Sequence, residues 1–239
     1  MIKFFRKIRQ KLLEKNRVSK YLVYAFGEIV LVVIGILIAL QINNWNEDKK
    51  ALQLEKEIYA VIKSDLKSDI LNIKSFLDYY DSVRKPLFIS FLNEKLTLED
   101  VTKNPELLEG FTGWPDIKIN NRGYELFKNQ PNSAVVDQDL AKHIASFYNK
   151  HLNEIEVAEI ELAQEFTDNN FHFKRKGFTW KYVIGKDDEK FTDYYLTDED
   201  AKNRMAAYYL FFRIYTKELR AFKTNAEELI KSINTVIND

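Results

Sequence analysis

The chain has no cysteine, so it can form no disulfide and offers no thiol nucleophile or thiolate metal ligand. Only 7 glycines and 4 prolines occur in 239 residues, which argues against collagen-like, Pro-rich disordered and Gly-rich nucleotide-binding classes. There is no Walker loop, no G-x-S-x-G elbow and no H-E-x-x-H pair, and with only 3 histidines a metal site has few ligands to draw on. These gaps lead to an expectation of no enzymatic activity, no cofactor and no bound metal. Net charge is absent too, because 36 basic residues balance 36 acidic ones. That neutrality hides an asymmetry. Within residues 1 to 20, Lys3, Arg6, Lys7, Arg9, Lys11, Lys15, Arg17 and Lys20 stand against Glu14 alone.

After this basic segment comes YLVYAFGEIVLVVIGILIALQI, residues 21 to 42. As a helix these residues rise roughly 33 Å, about the hydrocarbon thickness of a bilayer. The basic flank precedes the span and the flank that follows, NNWNEDKK, is mixed. The positive-inside rule therefore predicts a cytoplasmic basic segment at 1–20, a transmembrane helix at 21–42, and an extracytoplasmic helical domain at 43–239, in the inner (cytoplasmic) membrane. Tyr21, Tyr24 and Trp45 fall near the span's ends, where interfacial aromatic anchors belong. A cleaved signal peptide shares the basic and apolar regions, but this apolar stretch is long and its exit, Ile38 to Ile42, offers no small-x-small cleavage site. An uncleaved signal-anchor is expected. The segment before it mixes Ile2, Phe4, Phe5, Ile8, Leu12 and Leu13 with cations, so Lys3, Arg6, Lys7, Arg9 and Lys11 are candidates for anionic lipid headgroups.

No Gly or Pro occurs between Ile36 and Lys85, and an apolar stripe resumes at Leu54, Ile58, Ile62, Leu66, Ile70, Ile73, Leu77 and Tyr80. Its mean step of about 3.7 residues fits a helix of a globular bundle better than a two-stranded coiled coil. A second stripe, Leu140, Ile144, Phe147, His151, Ile155, Ala158, Leu162 and Phe166, follows Asp137 as N-cap. A third, Met205, Tyr208, Phe212, Tyr215, Leu219, Phe222, Ala226, Leu229 and Ile233, follows a capping-box pattern of Thr197 with Asp200. Between them, residues 84 to 132 hold Pro86, Pro105, Pro115 and Pro131 and read as short helices and turns, with Asn104-Pro105 as a helix start. FHFKRKGFTWKYVIG alternates aromatic and basic residues about Lys176-Gly177 and predicts a small β-hairpin. The fold class is therefore all-α: one N-terminal transmembrane helix continuing outward into a bundle of three long helices plus short ones and that hairpin.

Glu28 is the sharpest single residue. A carboxylate inside a span is costly unless protonated, paired or near water. Val32, Gly35 and Ala39 share its helical face, and Gly35-xxx-Ala39 permits close approach of another helix, so Glu28, Val32, Gly35 and Ala39 form a candidate membrane-helix contact. Alternatively, Glu28 reaches toward the cytoplasmic headgroups. His143 and His151 lack the Glu-x-x-His partners of a di-iron bundle and read as surface or core histidines. The basic-aromatic run at 171–182 has the composition of a single-strand nucleic-acid platform, but outside the cytoplasm it has no such target, and its aromatics are expected to pack on the bundle. The glutamates Glu154, Glu156, Glu159, Glu161 and Glu165 read as a solvated face.

The N-terminal block MIKFFRKIRQKLL with SKYLVYAFGEIVLVVIGILIALQINNWNE resembles an uncharacterised family of single-pass membrane proteins of Bacteroidota. NNRGYELFKN at 120–129 and the DLAKHIASFYN-like helix start at 139–149 are similar more loosely. The resemblance implies membrane location and helical architecture and transfers no catalytic residue. The leading functional expectation is a protein-interaction or envelope-complex component acting through its outer domain. Its partners would be the membrane and another membrane or periplasmic protein or a second copy, with no nucleic acid. The alternative is a membrane sensor or ion-coupled motor-type subunit using Glu28, and an extracytoplasmic hydrolase stands third.

Overall fold

The computed structural model describes residues 18–104, 107, 113–115, 117–130, 137–179, 184 and 189–238. Among these residues every regular element is helical and none is a strand. The order is α1 (Val18–Tyr79), a π-helical turn (Tyr80–Arg84), α2 (Lys85–Leu92), α3 (Leu98–Lys103), α4 (Arg122–Lys128), α5 (Gln138–Arg175), α6 (Glu189–Thr197) and α7 (Glu199–Asn238). The chain divides into two compact units, Met1–Leu54 and Glu55–Asp239.

In the first unit, residues 22–42 of α1 present apolar side chains on all sides. Leu22, Val23, Phe26, Leu31, Leu37 and Leu40 are all more than half exposed. A helix that is apolar all round has no polar face to turn to water. This is one helix long and apolar enough to cross a membrane, near the N-terminus.

The second unit is built on three stripes that close on one another. Phe76 stacks on Phe212 with centroids 6.1 Å apart, and the Lys56 ammonium donates to the Ile237 carbonyl at 3.4 Å, so this part of α1 runs antiparallel to α7. Phe166 meets Tyr208 and Phe147 meets Phe222, which sets α5 antiparallel to α7 as well. Every stripe residue expected on α7 is buried, as are those on α5 apart from Phe166, which packs half-buried against the core. On α1 the stripe holds from Ile58 onward, with Ile70 half-buried. Leu54 departs from the expectation: it is exposed, and the buried position next to it is taken by Glu55.

The π-turn has a local cause. Pro86 has no N–H, and its ring collides with the carbonyl four residues earlier, so the helical ladder cannot continue unchanged through this point. Here the Lys85 N–H donates to the Tyr80 carbonyl, five residues back, and the widened turn carries Arg84 into the interior. The Arg84 guanidinium lies over the Phe212 ring at 4.7 Å and donates to the Gly113 carbonyl, which also accepts from the Tyr208 hydroxyl.

Caps define the other helix ends. Asp137 accepts from the amides of Asp139 and Leu140, as its position before α5 predicts. At α7 the expectation is corrected: the cap is Asp198, whose carboxylate accepts from the amides of Asp200 and Ala201. The Thr197 hydroxyl is already engaged in the last turn of α6, donating to the Asp193 carbonyl. A capping box does occur at α3, where Thr97 and Asp100 exchange side-chain and backbone hydrogen bonds. Asn104 closes α3 and its carbonyl accepts from Leu107, while Pro105 lies outside the described residues.

The expected hairpin is also corrected. Phe171–Arg175, its first arm, is the last stretch of α5. Gly177 adopts φ 82, and the amides of Phe178 and Gly177 return to the carbonyls of Phe173 and Lys174, a glycine-terminated helix end rather than a strand turn. The other arm, residues 180–183, lies outside the described residues.

Candidate functional site

Three carboxylates on α1 sit in the interior of the second unit: Glu55, Asp65 and Asp69. Each spends its oxygens on the backbone of a segment distant in sequence. Asp69 accepts from the Asn120 amide at 3.1 and 3.2 Å and from the Asn120 side chain at 2.5 Å. One turn earlier, Asp65 accepts from the Gly123 amide at 2.8 Å, with the exposed Arg122 guanidinium 3.8 Å away. Glu55 accepts from the Tyr59 hydroxyl at 2.8 Å and from the Asp137 amide at 3.3 Å. Asn121, the N-cap of α4, makes no side-chain cap, so Asp65 supplies from another helix the acceptor that the first turn of α4 needs.

Contact at Gly123 is close enough to forbid a side chain. A Cβ there would lie 2.7 Å from the Ile62 nitrogen and 2.8 Å from its Cα, both backbone atoms that cannot swing aside. The next residue, Tyr124, stacks on Tyr148 at 4.5 Å and 8°, and its hydroxyl donates to the Asn149 side chain at 2.8 Å. Gly123→Ala should therefore cost about 1–3 kcal/mol through overpacking, with faster amide exchange at residues 120–124. Unchanged exchange there would show that α4 does not depend on the close approach.

Burial sets the electrostatics of this clamp. Asp69 is pushed up to about 6, because desolvation outweighs the Asn120 hydrogen bonds that favour its charge, and Asp65 nearby pushes the same way. The Tyr148 hydroxyl is buried with no hydrogen-bond partner among the described residues, and it is pushed up by burial and by the charges of Asp69 and Asp65. These acceptors are occupied by the chain's own amides, so the clamp serves to position α4.

The residues singled out from the sequence lie elsewhere. Glu28, Val32, Gly35 and Ala39 share one face of α1 in the first unit; Glu28 is half-exposed, and Val32 and Ala39 are exposed. Among the described residues nothing approaches within 4 Å of where a Gly35 Cβ would stand, which leaves room at that position. Tyr24 and Trp45 are exposed, and Lys49 lies over the Trp45 ring at 4.8 Å. The Tyr21 side chain and Lys3, Arg6, Lys7, Arg9 and Lys11 lie outside the described residues. His143 is on the surface, whereas His151 is buried with its Nε2 2.8 Å from the Asn225 amide group. Burial lowers His151 from its ordinary value. In the basic-aromatic run, Phe173 packs on Phe191 and Tyr195, and Phe178 on Phe191 and Tyr194. His172 Nε2 is 2.5 Å from the Tyr194 hydroxyl and 3.3 Å from Asp200. Periodicity reasoning missed all three buried carboxylates; the available signal was a glycine opening a helix in NNRGYELFK, which marks a close approach.

Among the described residues every element is thus helical, one helix is long and apolar enough to cross a membrane, and the second unit has a core of its own. A model of a family of unknown function, DUF6090, matches residues 28–109, about a third of the chain. This agrees with the resemblance read from the N-terminus at the level of an uncharacterised family. The matched stretch begins at Glu28 and includes Asp65 and Asp69 but not their partners at 120–123. No curated protein and no solved structure matches the chain.

Proposed function

We propose that this chain is a single-pass inner-membrane protein whose basic N-terminal segment is cytoplasmic and whose Glu55–Asp239 unit lies on the far side. Its role is that of an interaction protein in an envelope assembly rather than an enzyme. The observation that carries this reading is the grouping of Glu28, Val32, Gly35 and Ala39 on one face of an exposed apolar helix, with room for a close approach at Gly35. Two small residues on the face that carries a carboxylate suit the close approach of a helix partner, and ionisable residues within a span usually face protein. The cation excess of residues 1–20 supports the orientation.

In-cell crosslinking of the full chain, mild-detergent capture and mass spectrometry test the reading beside a control whose span is replaced by an unrelated apolar helix. A stoichiometric protein lost with the replacement is expected. Recovery of isolated monomers from native membranes would remove the proposal. Glu28→Gln should lower the yield of that complex several-fold if the carboxylate is part of the contact. Loss of cellular function with the complex intact would instead favour the ion-coupled reading.

A further inference from the structure

Charge on the second unit is sorted by helix. From His151 to Phe173, α5 carries Glu154, Glu156, Glu159, Glu161, Glu165 and Asp168 and no lysine or arginine. From Lys202 to Asn225, α7 carries six lysines and arginines against Glu218 alone. Both stretches keep their cores buried, so these charges face outward; on α7, Lys202, Arg204, Lys217, Arg220 and Lys223 each also pair with a carboxylate of the same chain.

Each outward face also pairs an apolar centre with charge of one sign. On α5, Val157 and Ile160 are 49% and 59% exposed and sit side by side between the exposed Glu156 and Glu161. A ridge of two apolar knobs between acids results, on a helix whose opposite face, Ile155, Ala158 and Leu162, is fully engaged in the core. Across α2 and α7 lies a groove of about 660 Å³ lined by Asp81, Lys85, Pro86, Ile89, Ser90 and Arg220. Its apolar part is Pro86 and Ile89, and Arg213 and Lys217 continue its cationic edge along α7, both exposed. Asp81, the acid in the lining, is held by Arg220 at 2.6 Å.

We infer that the acidic ridge of α5 in one copy seats in the basic groove between α2 and α7 of a second copy. This adds to the interaction reading above, on which it rests, a second contact that lies outside the span. Ridge and groove are different surfaces, so the contact is head-to-tail and propagates until it closes into a ring or continues as a row. Glu156 and Glu161 face Lys85, Arg220 and Lys217 across the interface, while Val157 and Ile160 cover Pro86 and Ile89. Opposed charges fix the register, and the apolar centre supplies the burial.

Because the chain has no cysteine, introduced thiols report the contact cleanly. Two differently tagged full-length chains, one Glu161→Cys and one Lys85→Cys, are co-expressed and oxidised in native membranes. The mixed disulfide is expected to dominate over both like-with-like products. Lys85→Glu with Arg220→Glu should reduce co-capture of tagged chains by about tenfold, and Glu156→Lys with Glu161→Lys on the other copy should restore it. All four positions are exposed, and an unchanged thermal midpoint confirms that the variants fold. Dominant like-with-like crosslinks, or co-capture indifferent to charge reversal, overturns the head-to-tail contact. If a different protein still co-purifies in a span-dependent way, the interaction reading survives and only the second-copy partner fails.

Discussion

Phe212→Ala should destabilise the Glu55–Asp239 unit by about 3–5 kcal/mol, the cost of emptying a large buried aromatic site. Phe212 is fully buried and is the ring on which four others converge: Tyr80 at 5.2 Å and 7°, Phe76 at 6.1 Å, Phe88 at 6.3 Å and Tyr208 at 5.7 Å. Truncation removes those contacts and leaves a cavity that helices α1, α2 and α7 cannot all collapse to fill. It also strips the ring face over which the buried Arg84 guanidinium lies, and the loss of that contact is a further cost. Thermal unfolding of the full chain in detergent, followed by near-ultraviolet dichroism of the packed tyrosines, reads the loss. Leu210→Ala, two residues away on α7 but half exposed, is the control and should cost under about 0.5 kcal/mol. Equal losses in the two variants would show that the aromatic cluster is not where stability resides.

The contrast between Phe212 and Leu210 was legible in the sequence, because the stripe from Met205 to Ile233 selects one and passes over the other. Long helices were legible for the same reason, with no Gly or Pro to interrupt α1 after Ile36. What periodicity could not show is the use of polarity inside. Glu55, Asp65 and Asp69 belong by residue type on the surface, and their burial depends on amides at 120, 123 and 137 that come near only after folding. Arg84 was hidden likewise, since its burial follows from a π-turn forced by Pro86 and from a ring on α7. At the boundaries, local chemistry offered two answers. Thr197 and Asp198 are both good caps and the neighbouring helix α6 claims the first. The Lys176-Gly177 pair suits a hairpin turn or a glycine-ended helix, and Phe173, continuing the core side of α5 into the interior, decides for the helix. The face Glu28, Val32, Gly35 and Ala39 was legible as a set of residues on one side of a helix; its partner is not written in this chain's fold.

Stability of the second unit should also depend on pH through Asp69. Its carboxyl is raised from 3.8 to about 6, first by burial, against the Asn120 hydrogen bonds and with help from Asp65. The folded state therefore holds this proton more tightly than the unfolded chain does. The resulting stabilisation is complete below about pH 4 and is lost as pH rises through about 6, amounting to about 3 kcal/mol at roughly 1.4 kcal/mol per pH unit. His151 and His172 contribute with the opposite sign. Burial lowers both, so they favour folding above the ordinary histidine value and oppose it as pH falls. The raw melting curve mixes these effects, and the difference between the native chain and Asp69→Asn isolates the carboxyl. Asparagine keeps one acceptor for the Asn120 amide and mimics the protonated acid. The stability of the native chain relative to Asp69→Asn should fall as pH rises from about 4 to about 6.5, and the protection of the Asn120 and Gly123 amides, corrected for intrinsic exchange, should fall over the same range in the native chain alone. Parallel curves for the two proteins would mean that the three hydrogen bonds from Asn120 outweigh burial, and that Asp69 is held ionised as an ordinary buried acceptor.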